Sequence, residues 1–228
     1  MNKKNILVTL LILFVSIGLV ASIGMYLLDT SGKVNQGNFR ISDFVVESNL
    51  NVVEKDVEQL KDLSSLIFDI SQNNKITILI ESHSEIKSMH IDNVNISNPI
   101  KVGNLYMTQS NYEKKISIEN TNTQVNIYPA KNESQYKVEI GINNENCMKD
   151  MKVTSGARSI RYDGTILSLL NTKVSDLRFN ISFDLNIIDV SGKKNVCPIK
   201  LSMPNDDLMT NGISVTRQDI TKYIFTIK

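Results

Sequence analysis

The residues able to do chemistry are few and scattered. The chain has two histidines, His83 and His90, and their odd spacing along an alternating strand would put them on opposite faces. Glu81-Ser82-His83-Ser84-Glu85 has residue types found around metal ions, but five consecutive polar residues read better as a solvated loop. Ser, His and Asp all occur, yet no Gly-x-Ser-x-Gly sets a nucleophile beside a base. Neither usual Gly-rich phosphate loop is present. The two cysteines, Cys147 and Cys197, lack Cys-x-x-Cys spacing and have no His nearby in sequence, which argues against a metal centre. Either they form one disulfide closing a long loop, or each is a small buried apolar residue; Cys197 alternates with Ile199 and Leu201 and so faces the core. Three glycosylation-type triplets, at Asn95, Asn132 and Asn180, are about what chance gives in so Asn-rich a chain. No catalytic, cofactor-binding or metal-ligating residue is therefore assigned, and the expectation is a protein that is not an enzyme.

The element that positions everything else is Ile6–Leu28, an apolar run without one Asp, Glu, Lys, Arg or His. At 1.5 Å per helical residue it is roughly 34 Å long, enough for a bilayer core of about 30 Å. A cleaved signal peptide also begins with a basic stretch, here Lys3 and Lys4, and Val20-Ala21-Ser22 offers small residues for cleavage. The apolar run continues to Leu28, however, and that length favours a signal anchor. The lysines precede the run and Asp29 follows it, so the positive-inside rule leaves residues 1–5 as a cytoplasmic stub and the C-terminal part outside. The expected localisation is the plasma membrane, single-pass. Five cytoplasmic residues cannot make a signalling or catalytic module.

Lys+Arg and Asp+Glu number 25 and 24. That balance gives no attraction to nucleic acid, and the one partner expected from composition is the lipid bilayer around residues 6–28. Asp29–Asn38 reads as a polar tether. Beyond it lies a β-rich domain, residues 39–228, with a lobe boundary, if there is one, in the polar, irregular stretch 143–164. Phe39–Ser48 predicts a first strand, and Val53, Val57, Leu60 and Leu63 predict an amphipathic helix over Asn51–Ser64. Leu66, Phe68 and Ile70, then Gln72-Asn73-Asn74, then Ile76, Ile78 and Ile80 predict a hairpin. A phase slip between Ile91 and Val94 predicts a bulge. Further strands are expected near 115–119, 124–128 and 136–142, and Thr165–Leu170 as a helical turn or a crossover. Alternation from Leu177 to Ile187, a turn at Ser191-Gly192-Lys193 and a return over Val196–Met203 make the clearest hairpin signal.

Consecutive strands without intervening helices predict antiparallel pairing. The expected fold is mainly β: an N-terminal transmembrane helix, then an antiparallel β-sandwich-like ectodomain with one short amphipathic helix. A basic start, an apolar helix and a β-rich remainder also describe pilins, but no Gly or Ala precedes the run and no Glu sits near its start. The functional expectation is a non-enzymatic interaction or structural component of a cell-envelope assembly, with an envelope or membrane protein as its partner. The alternative is a ligand-binding or hydrolytic ectodomain using acids near Glu81–Glu85.

Overall fold

A computed structural model of the chain describes residues 38–55, 65–97, 103–109, 112–117, 124–132, 135–154 and 163–228. The apolar run 6–28, the tether up to Gly37 and residues 56–64 of the expected helix lie outside the described residues. Within them, no helix is long and apolar enough to cross a membrane.

The protein is mainly β. Strands are numbered in chain order, and every pairing is antiparallel. One sheet holds β1 (Phe39–Glu54), β2 (Ser65–Ser82), β4 (Asn104–Gln109), β5 (Tyr112–Ser117), β7 (Ala130–Asn132), β8 (Gln135–Thr154) and β11 (Ile213–Arg217), in the order β11-β1-β2-β8-β4-β5 with β7 also on β8. The other holds β3 (Ile86–Ser97), β6 (Val125–Ile127), β9 (Phe179–Asp189), β10 (Lys194–Met203) and β12 (Thr226–Ile227), in the order β12-β10-β9-β3-β6. Among the described residues, short helices are α1 (Thr165–Leu169), α2 (Val174–Leu177) and α3 (Leu208–Asn211).

Two apolar clusters divide the buried face of the first sheet. Phe44, Val46, Ile76, Ile78, Ile80, Val138, Ile140 and Ile142 pack with Met89, Ile91, Phe183, Leu185, Ile187 and Cys197 of the second sheet. Farther along the same strands, Phe68, Ile70, Met148 and Val153 pack with Ile166, Leu167, Val174, Leu177 and Leu208 of the helices. Between the clusters runs a buried polar seam of Ser48, Gln72, Asn74, Asn144 and Ser214. Ser214, Ser48 and Asn74 lie in one cross-strand row, and Gln72 with Asn144 in the next. Gln72 Nε2 donates to Asn74 Oδ1 at 2.9 Å, and Asn74 Nδ2 to the Ile142 carbonyl at 2.8 Å. Asn144 Oδ1 accepts from Gly103 N–H at 2.8 Å.

The seam corrects the hairpin expected at Gln72-Asn73-Asn74. β2 is a single strand of 18 residues, and Leu66 through Ile80 keep the same parity across the polar residues. Polar side chains with buried partners here mark an interior crossing, not a turn. Asn51–Glu54 are likewise extended, completing β1 against Phe68–Ser71, so this part of the expected helix is strand. Lateral pairing to β2 outweighs the local periodicity.

Residues 143–154, expected to be irregular, continue β8. Asn146 and Asp150 sit at positive φ, 52° in each case, and the pairing with β2 shifts twice in this region. β2 side chains hold these kinks: Ser71 Oγ accepts from Asn146 N–H and Asp69 Oδ1 from Asp150 N–H, both at 2.9 Å. Kinks of this kind reset the phase of alternation and hide a strand from a period-two reading. The bulge foreseen between Ile91 and Val94 is present, with a register shift between Asp92 and Asn95 and Asn93 at φ 53°. The long hairpin is β9 with β10, paired from Lys194↔Ile188 to Met203↔Phe179.

Candidate functional site

A two-residue crossing between the sheets builds a concavity. β6 pairs with β3 through Met89↔Ile127 and Ile91↔Val125, and β7 pairs with β8 through Lys131↔Tyr136. Only Tyr128-Pro129 joins β6 to β7, so the chain leaves one sheet edge and enters the other sheet at once. The resulting cleft encloses about 390 Å³ and is lined by β3 (Ile86, Lys87, Ser88, Met89), by the crossing and by Tyr136.

Its two tyrosines differ in role. Tyr136 is 7% exposed, and its hydroxyl accepts from Ile86 N–H at 3.5 Å. Tyr128, 55% exposed, offers a ring to solvent at the mouth. The Lys131 ammonium lies 5.8 Å from the Tyr136 ring centroid and 3.5 Å from Glu85 Oε1. Both charged groups are well exposed, so their pairing adds little to the stability of the fold. The β9–β10 turn fixes the backbone of Glu85, whose carbonyl accepts from Val190 N–H at 3.1 Å. Ser191 Oγ and Lys193 N–H donate to Asp189 Oδ1 in that turn and hold the carboxyl below its ordinary range. The cleft thus combines an aromatic platform, apolar walls and amine and amide donors. That chemistry stacks and hydrogen-bonds.

The residues singled out from sequence fall as follows. Glu85 pairs with Lys131 at 3.5 Å; His83 lies in the loop before β3, its N–H donating to the Asn38 carbonyl at 3.0 Å. Among the described residues no cluster of three or more His, Cys, Asp or Glu can hold a metal ion. Cys147 and Cys197 are two separate buried thiols in different clusters. Cys147 Sγ donates to the Ile70 carbonyl at 3.2 Å, and burial pushes the Cys197 thiol up to about 12.

Comparison of the chain with family models, with curated proteins and with solved structures gives no match in any of the three. The site must therefore be read from its own geometry.

One arrangement escaped the sequence reading. Ser88, His90 and Asp92 share a face of β3, opposite Ile188, Asn186 and Asp184 of β9. Their spacing of two on an alternating strand was the available signal. His90 Nε2 stands 3.7 Å from Asp92 Oδ2, beyond hydrogen-bond reach. Asp92 Oδ1 instead accepts from Asn186 Nδ2 at 2.9 Å. Burial pushes the His90 pKa down, against the pull of Asp92. The group is a buried imidazole in a cross-strand row, with Ser88 at the cleft end of that row.

Proposed function

We propose that this protein is a membrane-anchored, non-enzymatic interaction module of the cell envelope. A signal anchor over residues 6–28 holds a β-sandwich outside the plasma membrane, and the cleft beside Tyr128 receives a segment of a partner envelope protein. The observation carrying this reading is the cleft itself, where an exposed tyrosine and Lys87 stand with Ile86, Met89 and Ile127 beside the edge strand β6. An extended peptide fits such a place, with side chains alternating into pockets and main chain alongside a strand. The alternative with a hydrolytic site near Glu81–Glu85 draws less support, because Glu85 is paired with Lys131.

The test is site-specific photocrosslinking in intact cells. A benzophenone residue replaces Tyr128 in one strain and Val190, exposed in the β9–β10 turn, in another. Capture of a defined envelope protein from position 128 and not from 190 is the expected result. Equal capture at both positions, or none at 128, overturns the proposal.

A further inference from the structure

Among the described residues, the outer strands of the two sheets are protected to different degrees. β12 spans two residues and β6 and β7 three each, while the sequence of β5 includes Glu113, Lys114 and Lys115. Shortness and charge are the usual defences of an unpaired edge. β11 has neither. Its five residues, Ile213-Ser214-Val215-Thr216-Arg217, include one charge. That charge is already neutralised, with Arg217 Nε 3.1 Å from Asp43 Oδ1. Ile213 and Val215 are 54% and 55% exposed.

The hydrogen-bond phase of β11 follows from its two ends. Leu50 N–H donates to the Gly212 carbonyl at 2.9 Å, and Gln218 N–H to the Phe44 carbonyl at 2.8 Å. Antiparallel bonding alternates, so Ser214 and Thr216 bond to Ser48 and Val46. The main-chain groups of Ile213, Val215 and Arg217 therefore point away from β1, toward the side on which none of the described strands pairs.

We propose that β11 is where two copies of this chain join, antiparallel about a two-fold axis through Val215, merging their first sheets into one. A residue on such an axis must turn both its N–H and its carbonyl outward, and Val215 does. In that register Val215 meets its own counterpart, and Ile213 meets Arg217 of the second copy. Every outward main-chain group of the strand then has a partner. The charges allow it: each Arg217 lies between Val45 and a neutral Ile213, and the two Glu47 residues flanking the axis stand three strand spacings apart. That is roughly 14 Å, beyond a Debye length of about 8 Å at physiological salt. Pairing of this kind is isologous and closes at two copies. It makes no use of the cleft at Tyr128, so either proposal can fail alone.

The test uses the full chain in its membrane with single cysteines under mild oxidation. Both native thiols are buried, so the introduced thiol is the accessible one. Directly opposed residues of a hydrogen-bonded pair stand about 5.5 Å apart at Cα, within the span of a disulfide. Val215→Cys is expected to give a species of twice the chain's 25.6 kDa. Ile213→Cys alone is expected to crosslink about tenfold less, since its counterpart lies roughly 13 Å away. Co-expressing Ile213→Cys with Arg217→Cys restores the dimer. No dimer from Val215→Cys, or equal crosslinking by Ile213→Cys alone, overturns the proposal. So does an adduct of another mass, which would give this edge to a different protein. Val215→Pro supplies a second arm: losing the axial N–H should abolish the dimer without changing the circular dichroism spectrum. A dimer that survives it refutes the register.

Discussion

Asn74 is the place to test whether the polar seam is a working part of the fold. Replacing Asn74 with Leu keeps the side-chain volume but removes the acceptor of Gln72 Nε2 and the donor to the Ile142 carbonyl. The carbonyl retains its ladder position between β2 and β4, so its loss is small. The amide of Gln72, fully buried, has no such recourse. Leaving it without a partner costs about 1–3 kcal/mol, and the lost bonds add about 1 kcal/mol. Asn74→Leu should therefore destabilise the protein by roughly 2–4 kcal/mol. Gln72→Leu should cost less, because Gln72 Oε1 is already buried without a hydrogen bond and its removal relieves that. The double variant should cost at least about 1 kcal/mol less than the sum, because the two amides serve each other. The assay is equilibrium urea unfolding of the full chain in mild detergent, followed by far-ultraviolet circular dichroism. A neutral Asn74→Leu, or strict additivity in the double variant, would refute the reasoning.

Two further outcomes are expected. Lys137 and Lys75 each reach Glu139 Oε1 at 2.8 Å and hold its pKa at about 2 against an ordinary 4.5. A carboxyl with a lowered folded pKa stabilises above its unfolded value and loses that contribution as pH falls through the folded one. The shift corresponds to at most roughly 3 kcal/mol, and screening of the half-exposed lysines reduces it to about 1–2 kcal/mol. Glu139→Gln should thus lower the melting temperature at pH 7, with the two melting curves converging between pH 4.5 and about 2; a gap unchanged at low pH would exclude the pairing as its cause. At Gly164, an added Cβ would meet the Leu208 carbonyl oxygen and the main chain of Met209. Gly164→Ala should therefore cost about 1–3 kcal/mol through overpacking where α1 meets α3, and an unchanged unfolding midpoint would show that this contact yields freely.

Much of the β-structure was legible where alternation ran unbroken, as in Phe179 through Ile187 and its return over Val196–Met203. It failed wherever one strand served two environments. Gln72 and Asn74 looked like a turn because their partners, Ile142 and Asn144, stand about 70 residues away. Asn146 and Asp150 broke the phase of β8 and made a strand read as an irregular polar stretch. Val53 fitted a helical stripe, but its neighbour across the sheet is Asp69 of β2. The cleft was hidden for a related reason. Tyr128, Lys87 and Tyr136 belong to three elements, and only the short step from β6 to β7 brings them together.

The long strands also bear on how the domain meets force. β1 pairs with β2 along its whole length, from Phe39↔Ser82 to Glu54↔Phe68, and with β11 on its other side. These bonds lie across the strand direction. Tension entering the chain at Phe39 and directed along β1 would load them together, in shear, instead of peeling them one at a time. Rupture under such a pull is set by an unfolding rate rather than by equilibrium stability. A tug on this end of the domain is thus spread over the ladder on both flanks of β1, a useful property for any part that must stay whole while what it holds is moved.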